Sequence, residues 1–143
     1  MSLSKRISRF FLFWLPPFFW MGLIFFLSSF HKLQASPVGW QDFFIRKTIH
    51  FLEYLVLFLL FYRGFRNTTK ISKIKMVGYS FLLSLVYAIS DEYHQTFVSG
   101  RTGKLFDVGV DSAGSLFGVI LIIKLKPYLP SRLIKLLGKL KII

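Results

Sequence analysis

Between Arg9 and His31 the chain carries no charged side chain, and this run of Phe, Leu, Trp and Ile constrains the fold more than any other feature. The hydrocarbon core of a bilayer takes about 20 apolar residues in helical form. The run from about Phe10 to Leu27 is too long for a secretory leader and lacks a small-residue cleavage site. With its basic start at Lys5, Arg6 and Arg9 it reads as an uncleaved anchor. Three further apolar segments follow, from about Ile45 to Tyr62, Met76 to Ser90 with an extension towards Gln95, and Phe106 to Ile123. Inside a bilayer a spanning segment must satisfy its own backbone polar groups, which makes these segments helices. The sequence predicts an all-α polytopic membrane protein, a four-transmembrane-helix bundle forming a single domain over 1–143.

Composition agrees, with 54% hydrophobic and 17% charged residues, where a soluble domain averages about 25% charged. There is no cysteine, so disulfides, thiolate nucleophiles and Cys-based zinc or iron–sulfur sites are excluded, and any metal must be held by His and carboxylates. The net charge of +13 lies in blocks flanking the spans, which fits a positive-inside bias and anionic headgroups, with no nucleic acid as partner. Four spans put fourteen Lys and Arg residues on the side of the termini and the 63–75 loop. Lys32, Arg46, Lys47, Arg101 and Lys104 are left on the other. Both termini are then cytoplasmic.

Punctuation along the chain is clear. Pro16 and Pro17 should kink the first helix, Ser36 to Gly39 should break the chain before the second, and Arg63 to Lys75 should form a basic hairpin. Ser99 to Lys104 reads as a turn. In the fourth span Gly114 and Gly118, with Ala113 and Ser115, make a face that another helix can approach closely. The basic tail 124–143 ends in a stretch with Arg132, Lys135 and Lys139 on one face. Leu133, Leu136, Leu137 and Leu140 lie on the other, as in a helix on an anionic membrane surface. His31 reads as an interfacial residue, and Trp14, Trp20 and Trp40 as interface anchors.

Against this apolar background five of the six carboxylates sit in or beside spans: Glu53, Asp91, Glu92, Asp107 and Asp111. His50 and His94 accompany them. The topology brings all seven from three helices to similar depth on the extracytoplasmic side, and intramembrane ionisable groups mark a functional site by default. His50 and Glu53 share a helix face with Tyr54 beside them, Asp107 and Asp111 share another, and Asp91, His94 and Gln95 a third. Lys47 and Arg101 are the cations available to neutralise the cluster or hold an anion. Three chemistries fit: a structural network fixing helix register, a divalent metal on mixed N/O ligands, or metal-free acid–base catalysis. In the last, His94 or His50 is the base, a carboxylate orients it, and Arg101 holds an anionic group. Ion conduction is a further alternative, and neither a metal nor another cofactor is specified.

The stretch Lys47-Thr48-Ile49-His50-Phe51-Leu52-Glu53-Tyr54 resembles the first signature of VanZ-like membrane proteins. The second resembles Asp91-Glu92-Tyr93-His94-Gln95-Thr96-Phe97, then Gly100-Arg101, then Asp107-Val108 and Asp111 to Gly114. The matching stretch covers roughly Trp40 to Ile123, departing at Ser99, where a proline often precedes the glycine, and at Gly109. The resemblance implies a multi-pass protein of the bacterial plasma membrane and cell envelope. The family takes its name from a member associated with resistance to the lipid-bearing glycopeptide teicoplanin. On this reading His50, Glu53, Asp91, Glu92, His94, Asp107 and Asp111 carry the chemistry, and Arg101, Gln95, Lys47 and Tyr54 contact the substrate. The expected ligand is an envelope lipid, a lipid-linked precursor or an amphiphilic antibiotic. The alternative is a non-enzymatic scaffold or partner-binding protein whose polar cluster is structural.

Overall fold

The computed structural model describes residues 3–30, 37–101 and 103–143, and helices carry nearly all of it. Five α-helices occur among the described residues: α1 (Leu3–Ser28), α2 (Gly39–Thr68), α3 (Lys73–Gln95), α4 (Leu105–Ile120) and α5 (Ser131–Lys139). A π-helical turn, Leu121–Leu125, and a 3-10 turn, Lys126–Tyr128, join α4 to α5. No strand occurs among the described residues, so the all-α architecture holds. His31, Lys32, Ser36 and Thr102, to which the sequence assigns surface, loop and turn positions, lie outside the described residues.

Among the described residues three helical stretches are long and apolar enough to cross a membrane: Leu3–Ser28, Lys73–Gln95 and Leu105–Leu125. α2 is not one of these. It has the length, but Arg46, Lys47, His50 and Glu53 interrupt its N-terminal half. Its helix also outlasts the apolar run expected of it, continuing from Tyr62 through Arg63 and Arg66 to Thr68. Helix length is set by backbone hydrogen bonding, and Arg is a good helix former whose stem packs on apolar surface. α1 runs unbroken through Pro16 and Pro17, with Pro17 buried, so the two missing donors do not end the helix.

α2 is the central helix, packed against α4, α1 and α3, and α3 packs against α4. The short link 69–72 makes α2 and α3 antiparallel neighbours. Side-chain contacts define the two ends of the bundle. At one, Trp14 Nε1 donates to Thr68 Oγ1 (3.0 Å), Lys73 Nζ donates to the Ile122 carbonyl (3.1 Å), and Arg63 Nε donates to the Leu140 carbonyl (2.7 Å). At the other, α1 ends against Asp91 of α3, and Lys47 of α2 meets Asp107 of α4. Two apolar clusters fill the space between. Ile24, Tyr54, Leu57, Phe61 and Ala88 form the middle. Phe58, Tyr62, Val77, Ile122, Leu137 and Ile142 form the basic end.

Close approach of α2 and α4 depends on Gly114. A methyl group there would collide with the Phe51 carbonyl oxygen and lie 2.9 Å from its carbon. A methyl on Gly118 would meet the Phe58 ring. The outer surface is the inverse of a soluble protein's: Phe11, Phe19, Phe26 and Phe106 stand exposed alongside many Leu and Ile residues. Such a surface suits contact with lipid tails, which are as apolar as leucine.

Candidate functional site

The carboxylates divide into two groups that differ in how they are held. Asp91, on the buried face of α3, accepts hydrogen bonds from Ser28 Oγ at the end of α1 (2.7 Å) and from Gln95 Nε2 (2.9 Å). Gln95 Oε1 in turn accepts from Arg101 (3.2 Å). Arg101 also donates through Nε to the Phe30 carbonyl (3.0 Å) and through a terminal nitrogen to the Leu27 carbonyl (3.5 Å). The guanidinium thus closes the carboxyl end of α1, where exposed carbonyls and the helix dipole favour a cation. The turn that presents Arg101 has its amide bonded to the Val98 carbonyl (3.0 Å) and Gly100 at φ 76°, a left-handed position suited to glycine. Every member of this chain has a partner.

Glu92, one residue on, faces α4. Its Oε2 accepts the Lys104 amide at the start of that helix (2.8 Å), while its buried Oε1 has no protein partner. A methyl group on Gly103 would strike the Glu92 carbonyl, so glycine lets the connection run this close to α3.

The second group lies between α2 and α4. His50 Nδ1 stands 3.3 Å from Asp111 Oδ1 and 3.9 Å from Glu53 Oε2. These are ion-pair distances without hydrogen-bond alignment, and His50 Nδ1 and both Asp111 oxygens are buried with no hydrogen-bonded protein partner. The Tyr54 hydroxyl, on a side chain that is fully buried, is also unpartnered. Glu53 lies within electrostatic reach of His50, Asp111, Asp91 and Arg101, which ties the two groups together. Lys47 pairs with Asp107 at 2.5 Å and rests between the Phe43 and Phe106 rings.

The spacing of this group follows from the backbone. Phe51 adjoins His50, Gly114 lies three residues past Asp111, and the contact between Gly114 and the Phe51 backbone brings α2 and α4 together at this level. Ser115 Oγ donates to the Tyr54 carbonyl (3.3 Å) on the same seam.

His94 makes no ion pair with either group among the described residues. Its ring packs on Phe25 of α1 with centroids 4.1 Å apart, and its Nδ1 is buried without a partner. Among the described residues no carboxylate stands within ion-pair distance of His94, whereas His50 has two. No group of three or more His, Asp or Glu residues among the described residues is arranged to hold a metal ion. Sequence reasoning missed Ser28, Trp20 and Tyr87. Trp20 Nε1 donates to the Glu53 carbonyl (2.9 Å), and the Tyr87 hydroxyl donates to the Met21 carbonyl (2.5 Å). The available signal was polar tips within or at the end of apolar helices, where a buried hydroxyl or indole N–H needs a partner.

Fold and site define a class: an all-helical membrane-type bundle with buried carboxylates and histidine at one end and basic residues at the other. The VanZ/LLP1 family model matches residues 3–126, and the chain belongs to that family. The match extends beyond the Trp40–Ile123 stretch on both sides, taking in α1 and leaving α5 outside. No curated protein and no solved structure matches the chain.

Proposed function

We propose that the chain is a four-span, single-domain protein of a bacterial plasma membrane with both termini cytoplasmic. In this reading its His50–Asp111–Glu53 cluster faces outward and binds the polar head of an amphiphile. The amphiphile is an envelope lipid, a lipid-linked precursor or a lipid-bearing glycopeptide. The observation that carries the proposal is the set of buried atoms on His50, Asp111 and Tyr54 that make no hydrogen bond within the protein, His50 and Asp111 meeting only as an ion pair. Buried polar groups that serve only to fix helix register are normally satisfied. Atoms left open at a junction of two helices are positioned for a group that arrives from outside.

The geometry also supports a division of labour. Asp111 faces Nδ1 of His50, an arrangement that orients the ring and stabilises an imidazolium. Nε2 is then the nitrogen available to take a proton from a ligand hydroxyl or from water. Glu53 supplies a second negative charge at the same ring. Asp107 is neutralised by Lys47, so that pair serves as a fixed rim. The scaffold alternative has its own observation, the completed Ser28–Asp91–Gln95–Arg101 chain. We assign it to that half of the site.

Topology is tested first. The chain has no cysteine, so single cysteines at Ser99 and at Asn67 can be labelled with a membrane-impermeant maleimide in intact cells. Labelling at Ser99 and protection at Asn67 is expected, and the reverse would refute an outward site. For function, cells expressing the protein are challenged with teicoplanin and with a glycopeptide lacking the acyl chain. Wild type should lower susceptibility to the acylated compound, while His50→Ala and Asp111→Asn, at equal membrane levels, should abolish the effect. Accumulation of lipid-linked precursors is followed in the same cells. No change in either readout on expression would overturn the reading.

A further inference from the structure

All six carboxylate side chains lie outside 54–90 and 112–143, yet those segments carry eleven of the nineteen Lys and Arg residues. The end of the bundle where α2 finishes, α3 starts and α4 gives way to α5 is therefore cationic with no acidic side chain to neutralise it. A cleft of about 290 Å³ opens there, lined by Tyr62, Arg66, Lys73, Met76, Ile122 and Ile143. Its two halves differ in chemistry. Arg66 and Lys73 are exposed, and Tyr62 presents a phenol. Met76 and Ile122 belong to the apolar cluster beneath.

The cations are not consumed by the protein. Lys73 gives one donor to the Ile122 carbonyl at the end of α4, and Arg66 has no hydrogen-bond or ion-pair partner among the described residues. By contrast Arg63 is fully engaged, donating to the Leu140 carbonyl and lying over the Phe13 ring at 4.7 Å. Asn67 holds the Lys141 carbonyl (2.9 Å). These two contacts, with Leu137 and Ile142 buried in the apolar cluster, fasten α5 beside the cleft. The outer face of α5 then shows Leu136 and Leu140 alongside Arg132, Lys135 and Lys139, a surface suited to the boundary between acyl chains and headgroups.

We propose that the cleft is a binding site for an anionic phospholipid, its phosphate held between Arg66 and Lys73 and its acyl chains running over Met76, Ile143 and the exposed leucines of α5. The chemistry is that of basic pockets between helices that take acidic headgroups. Arg offers a planar fork to phosphate oxygens and Lys a point charge beside it. The apolar lining distinguishes the site from one for a free anion. The inference rests on the bundle lying in a membrane but not on the outer cluster, so the two stand or fall separately.

The test uses the full chain purified in a non-ionic detergent. It is titrated with phosphatidylglycerol, with phosphatidylcholine of the same acyl chains, and with glycerol phosphate. Bound lipid is read by native mass spectrometry and by thermal stabilisation. Phosphatidylglycerol should bind at least about tenfold more tightly than either of the others. Arg66→Gln should weaken it by about fivefold, and Arg66→Gln/Lys73→Gln by more than tenfold. Arg66→Gln removes no hydrogen bond in the structure, so it keeps the test decisive if the double variant folds poorly. Equal binding of phosphatidylcholine would overturn the headgroup assignment. Equal binding of glycerol phosphate would mean an anion site without lipid, and undiminished binding by Arg66→Gln would remove the cleft as the location.

Discussion

The Asp91 chain and the His50–Asp111 cluster belong to the same end of one bundle and use the same residue types, yet one is closed and the other open. Asp91 accepts from two side chains, a serine at a helix end and an amide one turn away, and that amide is held in turn by an arginine that also ties down α1. Asp111 is as deeply buried and has only a histidine at 3.3 Å, without hydrogen-bond alignment. The difference teaches that burial of a carboxylate does not reveal its purpose, whereas the state of its partners does. A satisfied carboxylate holds helices together, and an unsatisfied one is held by them.

That contrast can be broken at several points. The largest effect is expected from Gly114→Ala, which forces the α4 backbone away from the Phe51 carbonyl and moves His50 and Asp111 apart together. A loss of about 3 kcal/mol or more is expected, measured by detergent unfolding followed with circular dichroism, along with loss of the teicoplanin effect. Asp91→Ala should cost nearly as much, about 2–4 kcal/mol, because it strands the buried Gln95 amide, unties α3 from Ser28 and leaves a cavity. The same measurement on Asp111→Asn should give a change within about 1 kcal/mol, since asparagine keeps the side chain's shape and only the unaligned ion pair with His50 is lost, while function disappears. If Asp111→Asn were as destabilising as Asp91→Ala, the two regions would be one structural network.

Arg101 provides a finer test. Arg101→Ala should cost about 1–2 kcal/mol by uncapping α1 and freeing Gln95, and Arg101→Lys should recover only part of it, because a point charge cannot reach three acceptors in the same fork. A susceptibility phenotype in Arg101→Ala at unchanged stability would instead make this side chain an anion contact. The smallest effect should come from Lys47→Gln, about 0.5–1 kcal/mol, as its partner Asp107 is partly exposed.

The helical architecture was legible because long apolar runs leave few alternatives, and Gly114 and Gly118 marked a close helix approach on α4, whose partner α2 the structure supplies. Which residues gather in sequence space was also clear: His50 with Glu53, and Asp107 with Asp111, through helical spacing. What periodicity does not give is rotation about each helix axis relative to its neighbours. A rotation of one residue separates Asp91, which turns toward α1, from Glu92, which turns toward α4, and leaves His94 against Phe25. The first helix reads as an uncleaved anchor because its run is long and apolar. Its contribution to the site comes from Ser28 and from backbone carbonyls at its end, which carry no compositional signature.

The order of these partners along the chain has a consequence for biosynthesis. A ribosome delivers the helices one at a time, and a carboxylate entering lipid alone is at its most costly. Ser28 is made before Asp91, His50 before Asp111, and Lys47 before Asp107, so in the four-span arrangement proposed above each of these acids would arrive when its counterpart is already in the membrane. α1 and α2 thus act as a receiving frame for α3 and α4, and a chain synthesised with the helix pairs exchanged would have to shelter three unaccompanied acids until its second half appeared.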